Sequence, residues 1–223
     1  GFGPAGMFAA LELARKGYRP IVFERGPAVP ERLKAIDLLW NEGVLDPEAN
    51  MQFGEGGAGT FSDGKLTTGK AHPLDRRILE TFVEFGAPPE TLYRNKPHIG
   101  TDKLRHIVVN LRHEIERLGG QVLFGHRLEG IETEFGVLRA IVVNGTRYAT
   151  NALILAMGHS ARDTSLMLRQ AGVVMEPKPY AIGTRIEHPA ELIDRAQFGT
   201  DAEVLPAADY KLTYHDKLGS AFS

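Results

Sequence analysis

The sequence predicts an α/β domain: a βαβ unit with parallel strands, a β-meander inserted before a later strand, and then the start of a second, α+β domain. Three observations carry this. Gly1–Gly6 reads GFGPAG and runs into a helix-forming stretch, Met7–Lys16, and a β-rich run, Arg19–Glu24. Strand-like runs then repeat at hairpin spacing around Phe135-Gly136 and Asn144-Gly145. Finally, an alternating run, Tyr180–Glu187, begins a unit that the chain does not complete. The boundary falls between residues 1–175 and 176–223.

Each element follows from local chemistry. Gly17 stops the first helix, and Arg19–Glu24 has the length and composition of a buried parallel strand. Glycine turn, helix and strand make two-thirds of a βαβ unit, so its first strand is expected immediately before Gly1. The chain has no initiator Met and opens inside the motif, so it reads as part of a longer protein. Arg32–Trp40 is helical by composition, whereas Phe53–Gly69 has no period and is expected as a long glycine loop. Leu74–Phe85 forms a helix closed by Gly86. Leu104, Ile107, Val108, Leu111, Ile115 and Leu118 draw the apolar stripe of another, capped by Thr101 and Asp102. Gln121–Phe124 is a strand. The meander is Leu128–Glu134, Leu138–Val143 and Arg147–Met157, the last continuing to a parallel-type strand end, and Thr164–Gln170 is a short helix.

Composition excludes several classes. Lys+Arg 26 against Asp+Glu 28 gives a net charge of −2, with no basic excess to recruit nucleic acid or an anionic membrane. Cys is 0, so within this stretch there is no disulfide framework and no Cys-ligated metal; a reducing, cytoplasmic setting is expected. The longest apolar run, Ala152–Met157, is too short to span a bilayer, and no signal peptide is present. Gly, at 25, is unevenly clustered, as suits backbone packed around a ligand.

The glycine motifs point to a dinucleotide. Gly1 permits the strand-to-helix turn, Gly3 lets backbone approach a pyrophosphate, and Gly6 lets the helix pack on the sheet. The N-terminus of the following helix favours phosphate, and Pro4 and Ala5 of the motif lie in the candidate contact. Glu24 ends the next strand, where a carboxylate accepts ribose hydroxyls. Gly56–Gly59, followed by Thr60, Ser62, Asp63 and Gly64, can form a nest of N–H groups around a pyrophosphate or ring.

The inserted meander, with GFGPAG followed by VFERG, resembles the glutathione-reductase-like flavoprotein form of the Rossmann fold. ALILAMGHS resembles its late strand ending beside the flavin, with Met157 where Thr is usual and Gly158 retained. GGAGTFSDGKLTT and KPYAIGTRIEHP together resemble the uncharacterised FAD-dependent dehydrogenases of bacteria and archaea, and the resemblance runs from Gly1 to about Leu212. It implies FAD bound by Gly1, Gly3, Gly6, Glu24 and the Gly57–Leu66 loop, and a Gly- and Cys-containing segment beyond Ser223. The candidate cofactor set is Gly1, Gly3, Pro4, Ala5, Gly6, Glu24, Arg25, Gly57, Ala58, Gly59, Thr60, Ser62, Asp63, Gly64, Lys65, Leu66, Leu128, Gly158 and His159. No metal site is expected.

Catalytic residues stay unassigned. His159 lies either beside the flavin or packed under its loop. Lys65 either stabilises reduced flavin or faces pyrophosphate or solvent, and Arg185 and Glu187 are either substrate contacts or a structural pair. Flavin brings its own redox chemistry, so a missing acid–base signature does not argue against an enzyme. The expectation is an FAD-dependent oxidoreductase acting on a small molecule, with NADH or NADPH as possible electron donor. The alternatives are a lipid reductase similar to geranylgeranyl reductases and a flavin-containing RNA-modification or scaffold protein. Oligomeric state is not fixed by the sequence.

Overall fold

A computed structural model describes residues 1–61, 64, 66, 72–93, 99–178, 186–208, 214–215 and 221–222. The chain divides into two compact units, Gly1–Val174 and Met175–Ser223. The first is mixed α/β, with one parallel and one antiparallel sheet among the described residues.

Helix α1 (Pro4–Arg15) starts on the glycine motif, with Pro at its first position and Gly17 at φ 83° beyond its end. Strand β1 (Ile21–Glu24) pairs in parallel with β2 (Gln121–Phe124), Glu24 standing opposite Phe124. Between them run α2 (Val29–Glu42), α3 (Asp75–Glu84) and α4 (Thr101–Arg117). α4 buries Leu104, Ile107, Val108, Leu111 and Ile115, and this stripe forms one core with Phe2, Met7, Leu11 and Val122. At about 1.5–3 kcal/mol per fully buried aliphatic side chain, that stripe is what holds α4 against α1 and the sheet.

The meander is β3 (Leu128–Glu134), β4 (Val137–Val143) and β5 (Thr146–Ala149), paired in sequence order and antiparallel. Both turns are left-handed, Phe135 and Gly136 at φ 50° and 77°, Asn144 and Gly145 at 45° and 72°, which matches the strand twist. α5 (Arg162–Gln170) follows. In the second unit the described elements are α6 (Ala190–Phe198), β6 (Tyr214–His215) and β7 (Ala221–Phe222), the two strands pairing antiparallel.

Four expectations change. The strand drawn to Met157 stops at Ala149, because residues 152–157 pair with no strand among the described residues; the run lies against Gly1 instead. Gly100, not a side chain of Thr101 or Asp102, caps α4, and Leu118 falls just past its end. The loop from Phe53 contains a 3₁₀ turn, Gly57–Phe61. Helix α2 begins three residues earlier than its composition suggested and runs two further, since Pro30 suits a first turn and Gly43 at φ 70° ends it. The alternating run Tyr180–Glu187 lies mostly outside the described residues, as do Ser62, Asp63, Lys65 and Arg185.

Candidate functional site

The glycines of the first motif divide by physical role. A Cβ on Gly6 would run into the carbonyl oxygen of Gly1, and one on Gly1 into that of Ala156. Both are demanded by packing. Gly3 is different: its φ of −80° suits any residue, and its nearest neighbour to an added Cβ is the Gly57 Cα at an ordinary 3.7 Å. Among the described residues nothing requires glycine there, and no described atom fills the space beside it. Gly57 is buried at φ 62°, and a Cβ on it would stand 2.9 Å from the Gly3 Cα.

The two backbones thus form a cradle between the start of α1 and the 3₁₀ turn. Its exposed rim is Pro4, Ala5 and Ala58. Among the described residues no side chain caps α1, and its first turn holds no acidic residue, so its first N–H groups and positive dipole end favour an anion there.

Glu24 lies at the cradle's side, 5% exposed. Its Oε1 accepts from Gly26 N and Gly54 N, both at 2.9 Å, and its Oε2 accepts from Phe2 N at 2.7 Å. A carboxylate offers about four acceptor positions, so Oε2 keeps one for a hydroxyl. The same group therefore ties together the motif, the end of β1 and the approach to the glycine turn.

Behind the turn stands a buried ionic frame that the sequence reading missed. Glu55 is fully buried; its Oε2 accepts from Val29 N at 2.8 Å, at the start of α2, and its Oε1 from Arg112 Nε at 2.7 Å. Arg32, also fully buried, donates to the carbonyls of Asn50, Met51 and Glu55 at 3.0, 3.0 and 2.7 Å. Burial pulls its guanidinium down to about 10, against the opposing charges of Glu24 and Glu55. For Arg112 burial is the largest influence and lowers it, yet the bond and charge of Glu55 leave it raised overall. One signal was available: Val29, Arg32 and Ile36 share a buried stripe at helical spacing, which places a cation where an apolar side chain is expected.

The other expected residues fall into place by function within the fold. Thr60 is buried, and its hydroxyl donates to the Glu55 carbonyl at 2.8 Å, so it braces the turn from inside. Leu66 packs on the core, and the Gly64 carbonyl accepts from Ile99 N. Among the described residues, a Cβ on Gly59 would meet the Pro4 Cγ, at 4.0 Å. Leu128 opens β3 opposite Val143. Gly158 needs glycine for its φ of 69°, and His159 beside it is exposed, its Nε2 3.4 Å from Ser160 Oγ.

Arg25 is taken up by protein carboxylates. It binds Glu48 through Nε at 2.6 Å and a terminal nitrogen at 3.0 Å, and Asp163 through both terminal nitrogens at 2.9 Å. Its guanidinium carbon also lies 4.2 Å from the centre of the Phe53 ring. The bond to Glu48 raises Arg25, and Arg25 in turn holds Glu48 and Asp163 below their ordinary values. This expected cofactor contact serves here to fasten the loop before Phe53 to α5. Among the described residues no group of three or more His, Asp or Glu gathers as a metal site, and no helix is long and apolar enough to cross a membrane.

Residues 179–223 match a family model described as FAD-dependent protein, C-terminal domain-like. A curated protein of Clostridium beijerinckii (strain ATCC 51743 / NCIMB 8052), described only as uncharacterized, is 52% identical over 219 residues. That match takes in 97% of this chain and 41% of the relative, so the chain spans about two-fifths of that protein's length. Among solved structures, THI4 of Thermovibrio ammonificans superposes with a TM-score of 0.50 at 18% identity, over 78% of this chain and 61% of that one. The likeness to THI4 is one of fold.

Proposed function

We propose that this chain is the dinucleotide-binding part of an FAD-dependent oxidoreductase. The observation that carries the reading is Gly3: a glycine that neither backbone conformation nor packing against the described residues requires, set at the start of α1 and facing a second glycine turn. The family model over residues 179–223 supports the choice of FAD among dinucleotides.

The residues present fit such a group. The N-terminus of α1 at Gly3, Pro4 and Ala5, together with Gly57, Ala58 and Gly59, would hold the pyrophosphate, where backbone N–H groups and the helix dipole favour negative charge. Glu24 would hold ribose hydroxyls through the free acceptor position of Oε2. The buried pair Glu55–Arg112 and the three-carbonyl grip of Arg32 keep the turn in position before any ligand arrives, which lowers the ordering cost of binding. When bound, FAD supplies exchange of a hydride or electron pair with a small molecule, and the protein orients and tunes it. NADH or NADPH is the electron donor on this reading, and the dehydrogenase direction of the reaction belongs to the same proposal.

Full-length protein is expected to purify with the visible absorbance of oxidised flavin, and to bleach in stopped-flow mixing with NADH or NADPH. Colourless protein that takes up no FAD in titration refutes the cofactor; a flavoprotein inert to both nicotinamides refutes only the donor.

A further inference from the structure

Three guanidiniums surround the Glu55–Phe61 turn, and two of them are satisfied. Arg32 gives its bonds to three backbone carbonyls, and Arg112 to Glu55, with Glu116 at 3.4 Å. Arg105, on the same edge of α4 as Val108 and Arg112, is not satisfied: its Nε is buried with no hydrogen-bond partner. Its guanidinium carbon stands 4.9 Å from the centre of the Phe61 ring, and that of Arg32 stands 4.7 Å from the same centre. Two like charges therefore share one ring. Glu55, the carboxylate of this turn, is already bonded to Val29 N and Arg112.

A buried charged donor without an acceptor is expensive, and native structures keep such a group where something outside the chain completes it. The ring contact settles the guanidinium before a ligand arrives, so its planar fork is preorganised. The side chain as a whole is only partly buried, so an anion approaches from its exposed part and uncovers Nε as it binds.

We propose that Arg105 is an anion-binding residue, taking a carboxylate or phosphate group at the outer side of the Glu55–Phe61 turn. Two sources share that chemistry: a phosphate of a bound dinucleotide, or the acidic group of a substrate. The site stands on its own geometry and does not require the flavin reading.

The test titrates inorganic phosphate into full-length protein, with and without added FAD, by calorimetry and by the ¹⁵N-arginine Nε–H resonances. Saturable binding with a shift of one protected Nε–H is expected. Arg105→Met should weaken it about tenfold or more, and Arg105→Lys, which keeps the charge but not the fork, should fall between. Phosphate displaced by FAD assigns the dinucleotide as source, and phosphate bound alongside FAD assigns a substrate acid; either supports the site. No saturation and no Nε–H response in the wild type, or unchanged affinity in Arg105→Met, overturns it. If Arg105→Met does not fold, the wild-type Nε–H response decides alone. Flavin uptake is scored separately by absorbance, so protein that binds phosphate through Arg105 but no FAD refutes the cofactor proposal and leaves this one standing.

Discussion

Gly3 and Gly57 face each other asymmetrically: a Cβ on Gly57 would come within 2.9 Å of the Gly3 Cα, whereas a Cβ on Gly3 would rest 3.7 Å from the Gly57 Cα. One glycine of the pair is needed by the fold and the other is not. Gly57 is further constrained by its φ of 62°, and Gly3, at −80°, is not.

That asymmetry separates folding from binding. Gly57→Ala should destabilise the protein by about 1–3 kcal/mol, from the left-handed backbone and the close approach together. Gly3→Ala should melt within about 0.5 kcal/mol of wild type, as an unstrained substitution does, yet lose dinucleotide, because its methyl group fills the cradle. Thermal melts beside FAD titrations check both. Gly3→Ala with undiminished FAD affinity would falsify the cradle.

Glu24 braces the fold and, on the proposed reading, also holds a ribose, and one measurement would blur the two. Three backbone N–H groups end on its carboxylate, so Glu24→Gln turns a donor NH₂ toward at least one of them. We expect a loss of about 1–3 kcal/mol in denaturant unfolding even with no ligand present. Equal stability in the apo protein would mean that these bonds contribute nothing net to the fold. The affinity effect should therefore be read only after correction for the folded fraction.

The parts of the fold legible in the sequence are those set by near neighbours. Asn144-Gly145 and Phe135-Gly136 announced their hairpins because both positions in each pair must accept positive φ. The α4 stripe was visible because five apolar residues repeat at helical spacing on a single buried face. What stayed hidden depends on partners far along the chain. The run to Met157 has strand composition, but a strand exists only through a ladder, and residues 152–157 join none among the described residues. Glu55 and Arg112 are 57 residues apart, and nothing local shows that a glutamate between glycines will be buried against an arginine on α4. Of the site, the glycines and Glu24 were legible as a motif. The ionic frame that holds them was not.

Arg32 gives that frame its sharpest test. Its three nitrogens meet three carbonyls, a pattern that a lysine ammonium, a point charge on a thinner stem, cannot reproduce. Arg32→Lys should cost about 2–4 kcal/mol, from unpaired carbonyls and from the gap left against Phe61. Amide exchange should speed up across residues 50–61 before it does so in α4. A loss confined to α2, with the turn still protected, would show that Arg32 stabilises its own helix and not the glycine loop.

The last expectation concerns acid. Arg25 holds Glu48 and Asp163 below their ordinary values of 4.5 and 3.8, chiefly through direct hydrogen bonds. In the unfolded chain both return to those values, so between the folded and unfolded pKa values the unfolded state binds more protons and stability rises with pH. The contribution is complete above about pH 5 and is lost as pH falls below 4.5 through the lowered values of the folded protein. Both carboxylates are more than a third exposed, at 38% and 49% of their side chains, so solvent screens much of it. Glu48→Gln with Asp163→Asn should therefore lose only about 1 kcal/mol at pH 7 and become flatter between pH 5 and 3. Arg25→Gln should flatten the same limb in large part, leaving the smaller pull of Arg127 on Glu48. Urea unfolding at half-unit pH steps measures the slope. Acid limbs that stay parallel in all three proteins would show that the Arg25 cluster is a geometric tie without electrostatic weight, and that acid sensitivity arises elsewhere in the chain.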